Sequence, residues 1–105
     1  MIASVPKTPR MLRLAPEDNV LVAIDTLDKG ATSAEGIVAL DRIGKGHKMA
    51  AADIRNGEAV RKFGQIIGFA KLDIAKGSWV HEHNTGVHEF TRDYAFAEDA
   101  AFYIY

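Results

Sequence analysis

The stretch Ile74-Ala75-Lys76-Gly77 is one of four short segments that share a pattern: an aliphatic residue, any residue, Lys or Asn, and then Gly. An aliphatic side chain anchors a segment in the core, and Gly permits the positive φ that a tight turn requires. The four glycines lie 16, 11 and 20 residues apart, which excludes the regular period of a solenoid. The pattern therefore predicts tight turns in a compact β fold. The other three segments are Leu27-Asp28-Lys29-Gly30, Ile43-Gly44-Lys45-Gly46 and Ile54-Arg55-Asn56-Gly57.

Short apolar segments lie between these turns and beside them. Each is bounded by Gly, Asn or Asp, which is typical of short strands. Strands at this close spacing predict a mainly β domain with little helix. Helices over residues 18–27 and 41–54 are the alternative, on Ala, Leu and Lys content, but Gly44 and Gly46 disfavour the second. The strand candidates are residues 11–14, 19–24, 37–40, 48–54, 59–63, 65–70 and 78–83.

The composition is that of one soluble globular domain. The 105 residues are 48% hydrophobic and 26% charged, and the formal net charge is -1. That balance gives no electrostatic footprint for DNA or RNA, so no nucleic-acid partner is expected. The absence of cysteine excludes disulfides and thiolate metal sites on this chain. The apolar run 20–24 is too short to span a bilayer, and the N-terminus lacks the apolar region of a secretion signal. We therefore predict a cytoplasmic protein without a membrane partner.

The two ends of the chain differ in composition from its middle. Residues 1–10 contain two of the three prolines and no apolar period, so we expect a flexible N-terminal arm. The domain itself is predicted over residues 11–84. Residues 85–105 form an aromatic C-terminal extension, in which residues 91–105 hold five of the eight Phe and Tyr side chains. This much apolar surface is expected to pack on the domain or on a partner.

Histidines are the most informative polar residues. His81 and His83 stand at i and i+2 in the last strand candidate, and strand alternation would place both imidazoles on one face. Two imidazoles on one face can bind a divalent metal or serve as general acid and base near neutral pH. The pair His88-Glu89 follows and could complete such a set if the loop folds back. The alternative is that one or two of these histidines are solvated strand residues.

A second candidate site is the turn Gly44-Lys45-Gly46-His47-Lys48. Its two glycines allow the backbone to approach a ligand closely, while Lys45, His47 and Lys48 supply donors and positive charge. This chemistry suits a carboxylate or a polyhydroxy acid. The stretch is not a P-loop, because the required Gly-Lys-Ser/Thr ending is absent. An exposed basic turn without a ligand is the alternative.

Five motifs occur in one order along the chain: DRIGKGHKMA (41–50), IRNGEAV (54–60), FGQIIGFA (63–70), DIAKGSWVHEHN (73–84) and FTRDYAF (90–96). Together they resemble the N-terminal part of altronate and galactarate dehydratases, and the resemblance covers residues 12–100. It implies a SAF-type domain with a small β-clip fold. In that family the module usually precedes a larger catalytic region. Some relatives, such as sulfolactate sulfo-lyases, divide into a small and a large subunit.

The resemblance implies the small subunit or N-terminal module of a sugar-acid dehydratase, a hydro-lyase subunit that is inactive alone. Its histidine loop would complete an active site built mainly by a large catalytic subunit. The reaction would be β-elimination of water from a hexonate or hexarate. A proton α to a carboxylate is removed, and a divalent metal, iron or manganese, stabilises the enediolate and the leaving hydroxyl.

Carried onto this sequence, the resemblance assigns catalytic roles to His47, His81 and His83. Lys48 and Asn84 are the expected contacts with the sugar-acid substrate. His81 and His83 are also the best candidates for metal ligands, but two ligands make an incomplete site. The metal is therefore expected mainly on the large subunit, and none is expected on the isolated chain.

Other functions stay open at this stage. SAF-type domains also occur as non-enzymatic modules that bind carbohydrate or a partner. Two further alternatives are the small subunit of a sulfolactate sulfo-lyase-like enzyme and a self-contained metal-binding β-barrel enzyme. A cupin is disfavoured, because Gly77 lies too close to His81 and no second histidine motif follows. Association with a second copy of the chain is a further expectation.

Overall fold

The computed structural model describes residues 8–87, and within this range it contains seven short strands and no helix. The mainly β fold predicted from the turn pattern is confirmed, and the alternative helices over residues 18–27 and 41–54 do not form. The strands are β1 (Met11–Leu12), β2 (Val20–Ala23), β3 (Lys48–Ala50), β4 (Ala59–Lys62), β5 (Gln65–Ala70), β6 (Trp79–Val80) and β7 (Thr85–Gly86).

The strands form two antiparallel sheets. One sheet has the order β1-β2-β3-β6, and the other has the order β4-β5-β7. Strand β2 is central to the packing, because its alternating side chains enter two separate cores. Val20 joins the core between the sheets, made of Val20, Ala50, Ile54, Val60, Ala70, Ile74 and Val80. Leu21 and Ala23 join the second core, which also contains Leu27, Ile37, Ala39, Ile43 and Met49.

The aliphatic residues of the four repeated segments are buried, as predicted. Leu27 and Ile43 exchange two backbone hydrogen bonds of 2.9 Å, and Ile54 and Ile74 exchange two of 2.8 and 2.7 Å. Their exposed fractions are 2% or less. Each pair therefore closes one core with a single antiparallel bridge.

The glycines of the same segments take the conformation that the pattern predicts. Their φ angles lie between +85° and +94°, and each glycine N–H donates to the carbonyl of an alanine in a neighbouring segment. These alanines are Ala39, Ala23, Ala70 and Ala50 for Gly30, Gly46, Gly57 and Gly77 respectively. The turns thus tie neighbouring segments together as well as reversing the chain.

One strand candidate, residues 37–40, forms only an isolated bridge between Thr32 and Val38. Ile37 and Ala39 are buried and Val38 is exposed, so the alternation is that of a strand. The backbone, however, bonds to several short segments: Ala39 N–H donates to Ala31, and Leu40 N–H donates to Gly77. Without one continuous partner, no ladder propagates.

Asp18 fastens the β4–β5 hairpin to the other sheet. Its buried carboxylate accepts hydrogen bonds from the N–H groups of Phe63 (2.7 Å), Gly64 (2.8 Å) and Ala15 (3.0 Å). Burial by itself raises the pKa of Asp18, but these hydrogen bonds and the charge of Arg13 outweigh it, so the pKa lies below its usual value. Phe63 sits at the hairpin turn with a φ of +57°, which is unusual for a residue with a side chain.

At its N-terminal end the described chain is already attached at Arg10. The Arg10 side chain pairs with Asp25 at 2.8 Å, which holds the pKa of Asp25 well below its usual range. Most of the predicted arm (1–10) and of the predicted aromatic extension (85–105) lies outside the described residues. Within residues 8–87, no helix is long and apolar enough to cross a membrane.

Candidate functional site

The register between β3 and β6 brings the two predicted histidine sites together. Met49 pairs with Trp79 and Lys48 with Val80 in this antiparallel ladder. One step further along both segments, His47 lies opposite His81, and their ring centroids are 5.5 Å apart. The two candidate sites in the sequence are therefore one site in the structure.

Trp79 lies at the centre of this site. His81 stacks on its indole with centroids 4.8 Å apart and planes 10° apart, and His83 lies 5.2 Å away at 36°. The indole Nε1–H donates a 3.1 Å hydrogen bond to Nδ1 of His47. We call His47, Trp79, His81 and His83 the histidine–tryptophan cluster. It contains all three histidines that the sequence analysis assigned to catalysis.

His81 and His83 lie in a turn and not on a strand, which corrects the local structure expected for them. Strand β6 ends at Val80, and residues 81–84 form a turn. The cause is Asn84: its side chain accepts from His81 N–H at 3.0 Å and donates to the Trp79 carbonyl at 2.9 Å. Such bonds offer the backbone an alternative to the sheet ladder. The imidazoles of His81 and His83 lie close together because both contact Trp79. Strand alternation does not explain their proximity.

Asn84 itself is buried, with 4% of its surface exposed. Both ends of its amide are engaged with backbone groups of the same loop. In the structure, Asn84 therefore fixes the conformation of this loop. The sequence analysis expected Asn84 to contact the substrate.

Lys48 lies apart from the cluster. In β3 it pairs with Val22 and Val80, so its side chain projects from the sheet face opposite to that of Met49 and Trp79. Burial, and to a smaller extent the charge of Lys62, lowers the pKa of Lys48 below its usual value. The structure does not bring Lys48 together with the three histidines.

The turn Gly44-Lys45-Gly46 does not offer a cradle of free N–H groups. Lys45 N–H donates to the Thr26 hydroxyl at 3.2 Å, Gly46 N–H to the Ala23 carbonyl, and His47 N–H to the Gly44 carbonyl. Gly44 has a different role, because it flanks the imidazole of His47. A Cβ at this position would lie 3.4 Å from Cδ2 and 4.0 Å from Nε2 of His47.

A family model for the altronate/galactarate dehydratase SAF domain matches residues 9–88. This chain belongs to that family. Altronate dehydratase of Escherichia coli (strain K12) is 41% identical to this SAF domain over 71 residues, which are 65% of this chain and 14% of that protein. Altronate dehydratase of Bacillus subtilis (strain 168) is 35% identical over 77 residues, 70% of this chain and 16% of the relative.

Galactarate dehydratase (L-threo-forming) of Escherichia coli (strain K12) is 35% identical over 74 residues, 68% of this chain and 14% of that protein. The SAF domain thus matches only 14% to 16% of the length of these curated relatives. The recognition of the family is confirmed over the domain, where four of the five motifs lie; the fifth motif (90–96) lies beyond the residues that the family model matches.

The described part of the SAF domain does not fit a resident metal ion. Within residues 8–87, no group of three or more His, Asp or Glu side chains has the arrangement to hold one. In the cluster, Nδ1 of His47 already accepts the indole N–H. His88 and Glu89, which were expected to help complete a site, lie outside the described residues.

A surface cavity of about 330 Å³ lies elsewhere on the SAF domain, around the Ile54–Ile74 bridge. It is lined by Asp53, Arg55 and Asp73 among others. The Asp53 and Asp73 carboxylates are engaged with the backbone N–H groups of Lys76 and Asn56, which close the neighbouring turns. This cavity is accordingly a feature of the turns and does not belong to the histidine site.

Trp79 is the member of the cluster that the sequence analysis did not single out. It is the only tryptophan of the chain and stands two residues before His81. On the strand predicted over residues 78–83, that spacing would place both side chains on one face, so Trp79 could have been included in the candidate site from the sequence. The hydrogen bond to His47 had no such signal, since it depends on the register between β3 and β6.

Proposed function

We propose that this chain is the small subunit, or the N-terminal module, of a sugar-acid dehydratase of the altronate/galactarate type. In this proposal the histidine–tryptophan cluster completes an active site that a large catalytic subunit builds for the most part. The observation that carries the proposal is the gathering of three histidines, from two separate segments, around one tryptophan in a domain of this family.

The chemistry of the cluster suits an elimination of water. The reaction removes a proton α to a carboxylate and releases a β-hydroxyl group, so it needs a base and a donor near neutral pH. Imidazole can serve in either role. His83 is exposed, and the His81 side chain is 38% exposed with its Nε2 3.5 Å from the Glu82 carboxylate. Both rings are thus accessible to a substrate brought to this surface.

The exposure of the cluster is also the reason for proposing a partner. Elimination in an active site benefits from a closed environment in which water is excluded and hydrogen bonds are strengthened. His83 stands open to solvent here, and Trp79 and His47 are only half-buried. A large subunit laid over this surface would supply the missing walls, the remaining substrate contacts and the main ligands of the expected iron or manganese ion.

The proposal gives neither Asn84 nor Lys48, the two predicted substrate contacts, a direct contact with the substrate. Asn84 acts by holding the loop that carries His81 and His83, so it is a positioning residue. Lys48 has no role at the cluster, because it lies on the opposite sheet face. Proton transfer is assigned to the histidines alone.

Reconstitution tests the proposal directly. The chain, a large dehydratase subunit from the same host, and their mixture are each incubated with altronate and with galactarate. Loss of water leaves an enol that tautomerises to a 2-keto acid, which is followed as its semicarbazone. We expect turnover only from the mixture and co-elution of the two subunits. Lys76→Ala, in an exposed turn that contributes no side chain to the cluster, is the control that should leave turnover unchanged.

Two results would overturn the proposal. A complex that forms but turns over no sugar acid would favour a non-enzymatic binding module. Turnover of sulfolactate, with none of altronate or galactarate, would favour the sulfo-lyase-like alternative.

A further inference from the structure

Trp79 is held in place from several sides. Its backbone N–H donates to the Asp41 carboxylate at 3.0 Å, and its carbonyl accepts from the Asn84 amide at 2.9 Å. The indole packs against the second core and carries His81 on its face. These contacts fix the orientation of the indole ring. In this orientation its Nε1–H donates a hydrogen bond to Nδ1 of His47, 3.1 Å away.

This hydrogen bond decides where His47 carries its proton. A neutral imidazole has one donor nitrogen and one acceptor nitrogen, and an imidazolium has two donors. Nδ1 accepts from the indole, which is a donor only, so Nδ1 holds no proton. The neutral ring then carries its proton on Nε2. In an imidazolium, Nδ1 would also carry a proton, and its N–H group would face the indole N–H. Two donors cannot form a hydrogen bond with each other, so the observed contact excludes this form.

The protonated nitrogen lies on the side of the ring that faces Gly44. A Cβ at residue 44 would stand 4.0 Å from Nε2, so the glycine leaves that space without a side chain. His47 thus has its Nε2–H group on the side of Gly44, where no side chain stands, while its other nitrogen is already in use.

We propose that Trp79 is a positioning residue that holds His47 as a neutral imidazole with its proton on Nε2. This inference rests on the proposed function and deepens it by dividing the roles of the three histidines. His47 donates a hydrogen bond to a substrate oxygen, either of the carboxylate or of the departing hydroxyl, and transfers no proton. Proton removal and delivery fall to His81 and His83, neither of which accepts the indole N–H.

The first test uses the isolated 105-residue chain and needs no activity. In a ¹⁵N-labelled sample, an N–H···N hydrogen bond gives a scalar coupling between its two nitrogens. We expect this coupling between Nε1 of Trp79 and Nδ1 of His47, and a proton resonance on Nε2 of His47. A folded chain that lacks the coupling, or that carries the proton on Nδ1, would overturn the proposal.

The second test compares glutamine with alanine in the assembled enzyme. Glutamine offers an amide N–H near the position of Nε2 but cannot act as a base at neutral pH. We expect His47→Ala to lower kcat by about 10²–10³-fold, the usual cost of removing one such donor. His47→Gln should retain at least roughly a tenth of the wild-type kcat. The matched pair His83→Gln and His83→Ala should be equally impaired, because a proton-transfer residue is not replaced by an amide.

Trp79→Phe completes the test, since it keeps an aromatic ring under His81 and removes the N–H donor. We expect a lower kcat with a nearly unchanged KM, and an unfolding midpoint close to that of the wild type. A His47→Gln variant as inactive as His47→Ala would refute the division of roles. If instead every histidine variant keeps full activity, the proposed function is refuted. The scalar coupling between Trp79 Nε1 and His47 Nδ1 would still test the hydrogen bond between these two residues, because that measurement does not depend on activity.

Discussion

Gly77 and Gly30 occupy equivalent turns, and replacing each with alanine separates two contributions to stability. Both glycines have nearly the same backbone conformation, with φ angles of +94° and +92°. A Cβ at Gly30 would meet no atom within 4 Å. A Cβ at Gly77 would overlap the carbonyl oxygen of Val38 and lie 3.2 Å from Cγ of Leu40. The Gly30 variant therefore reports the cost of the positive φ alone.

The magnitudes follow from these contacts. Positive φ costs an alanine about 1–2 kcal/mol, of which about 0.4–1 kcal/mol is offset by the stiffer unfolded chain. Gly30→Ala should thus lower the free energy of unfolding by about 1 kcal/mol. In Gly77→Ala the backbone at Val38 must also move. That movement disturbs the bonds from Gly77 N–H to Ala50 and from Leu40 N–H to Gly77, each worth about 1 kcal/mol. We expect a total loss of about 3 kcal/mol.

Urea denaturation of the two variants and the wild type checks this difference. Circular dichroism reports the global transition, and the fluorescence of Trp79 reports the segment that Gly77 positions. The Gly77 variant should also unfold roughly 12–24 °C below the wild type, given about 4–8 °C per kcal/mol for a domain of this size. Equal destabilisation by the two substitutions would refute the claim that the close approach of Val38 adds to the cost of a side chain at Gly77.

Three further predictions concern the hairpin, acid stability and the C-terminal extension. Phe63→Asn should raise the free energy of unfolding by about 0.5–1 kcal/mol in the same assay, because Asn adopts positive φ more readily than Phe in a hairpin turn; a loss of stability would contradict the strain assigned to Phe63. The pKa of Asp18 is depressed in the folded state, so its carboxylate stabilises the fold above its unfolded pKa of about 3.9, and this contribution is lost as pH falls through the folded value. The gap in unfolding midpoint between wild type and Asp18→Asn should therefore narrow below about pH 4, and a gap independent of pH would contradict this role. A chain ending at Val87 keeps β7, so it should retain the wild-type unfolding midpoint while associating more weakly with the large subunit. A chain ending at Asn84 lacks β7 and should unfold at a lower temperature. Tight association of the chain ending at Val87 with the large subunit would contradict the role predicted for the aromatic extension.

The turns and cores could be predicted from the sequence because their causes are local. An aliphatic residue followed three positions later by Gly contains both the anchor and the reason for the turn. Ile54 and Ile74 accordingly lie buried in a bridge, and Gly57 and Gly77 have positive φ. No long-range information was required for these assignments.

The arrangement of the site could be predicted only in part. His47, His81 and His83 were selected by residue type and by family motif, but nothing local indicated that they meet. Their meeting depends on the register of β3 and β6, which is set by packing over the whole sheet. The end of β6 at Val80 was missed for a related reason. It depends on the Asn84 side chain, which hydrogen-bonds to the backbone N–H of His81 and the backbone carbonyl of Trp79 in place of a neighbouring strand.

The central claim, that the loop carrying His81 and His83 takes part in catalysis by the assembled enzyme, is tested most directly by one kinetic measurement. The double variant His81→Ala/His83→Ala is combined with the large subunit, its assembly is verified by co-elution, and its kcat is compared with those of the wild type and Lys76→Ala. Loss of a general acid or base costs about 10²–10⁴-fold, so we predict at least a hundredfold lower kcat with assembly preserved. Full activity of the double variant in an intact complex would contradict the account and leave this domain an assembly element.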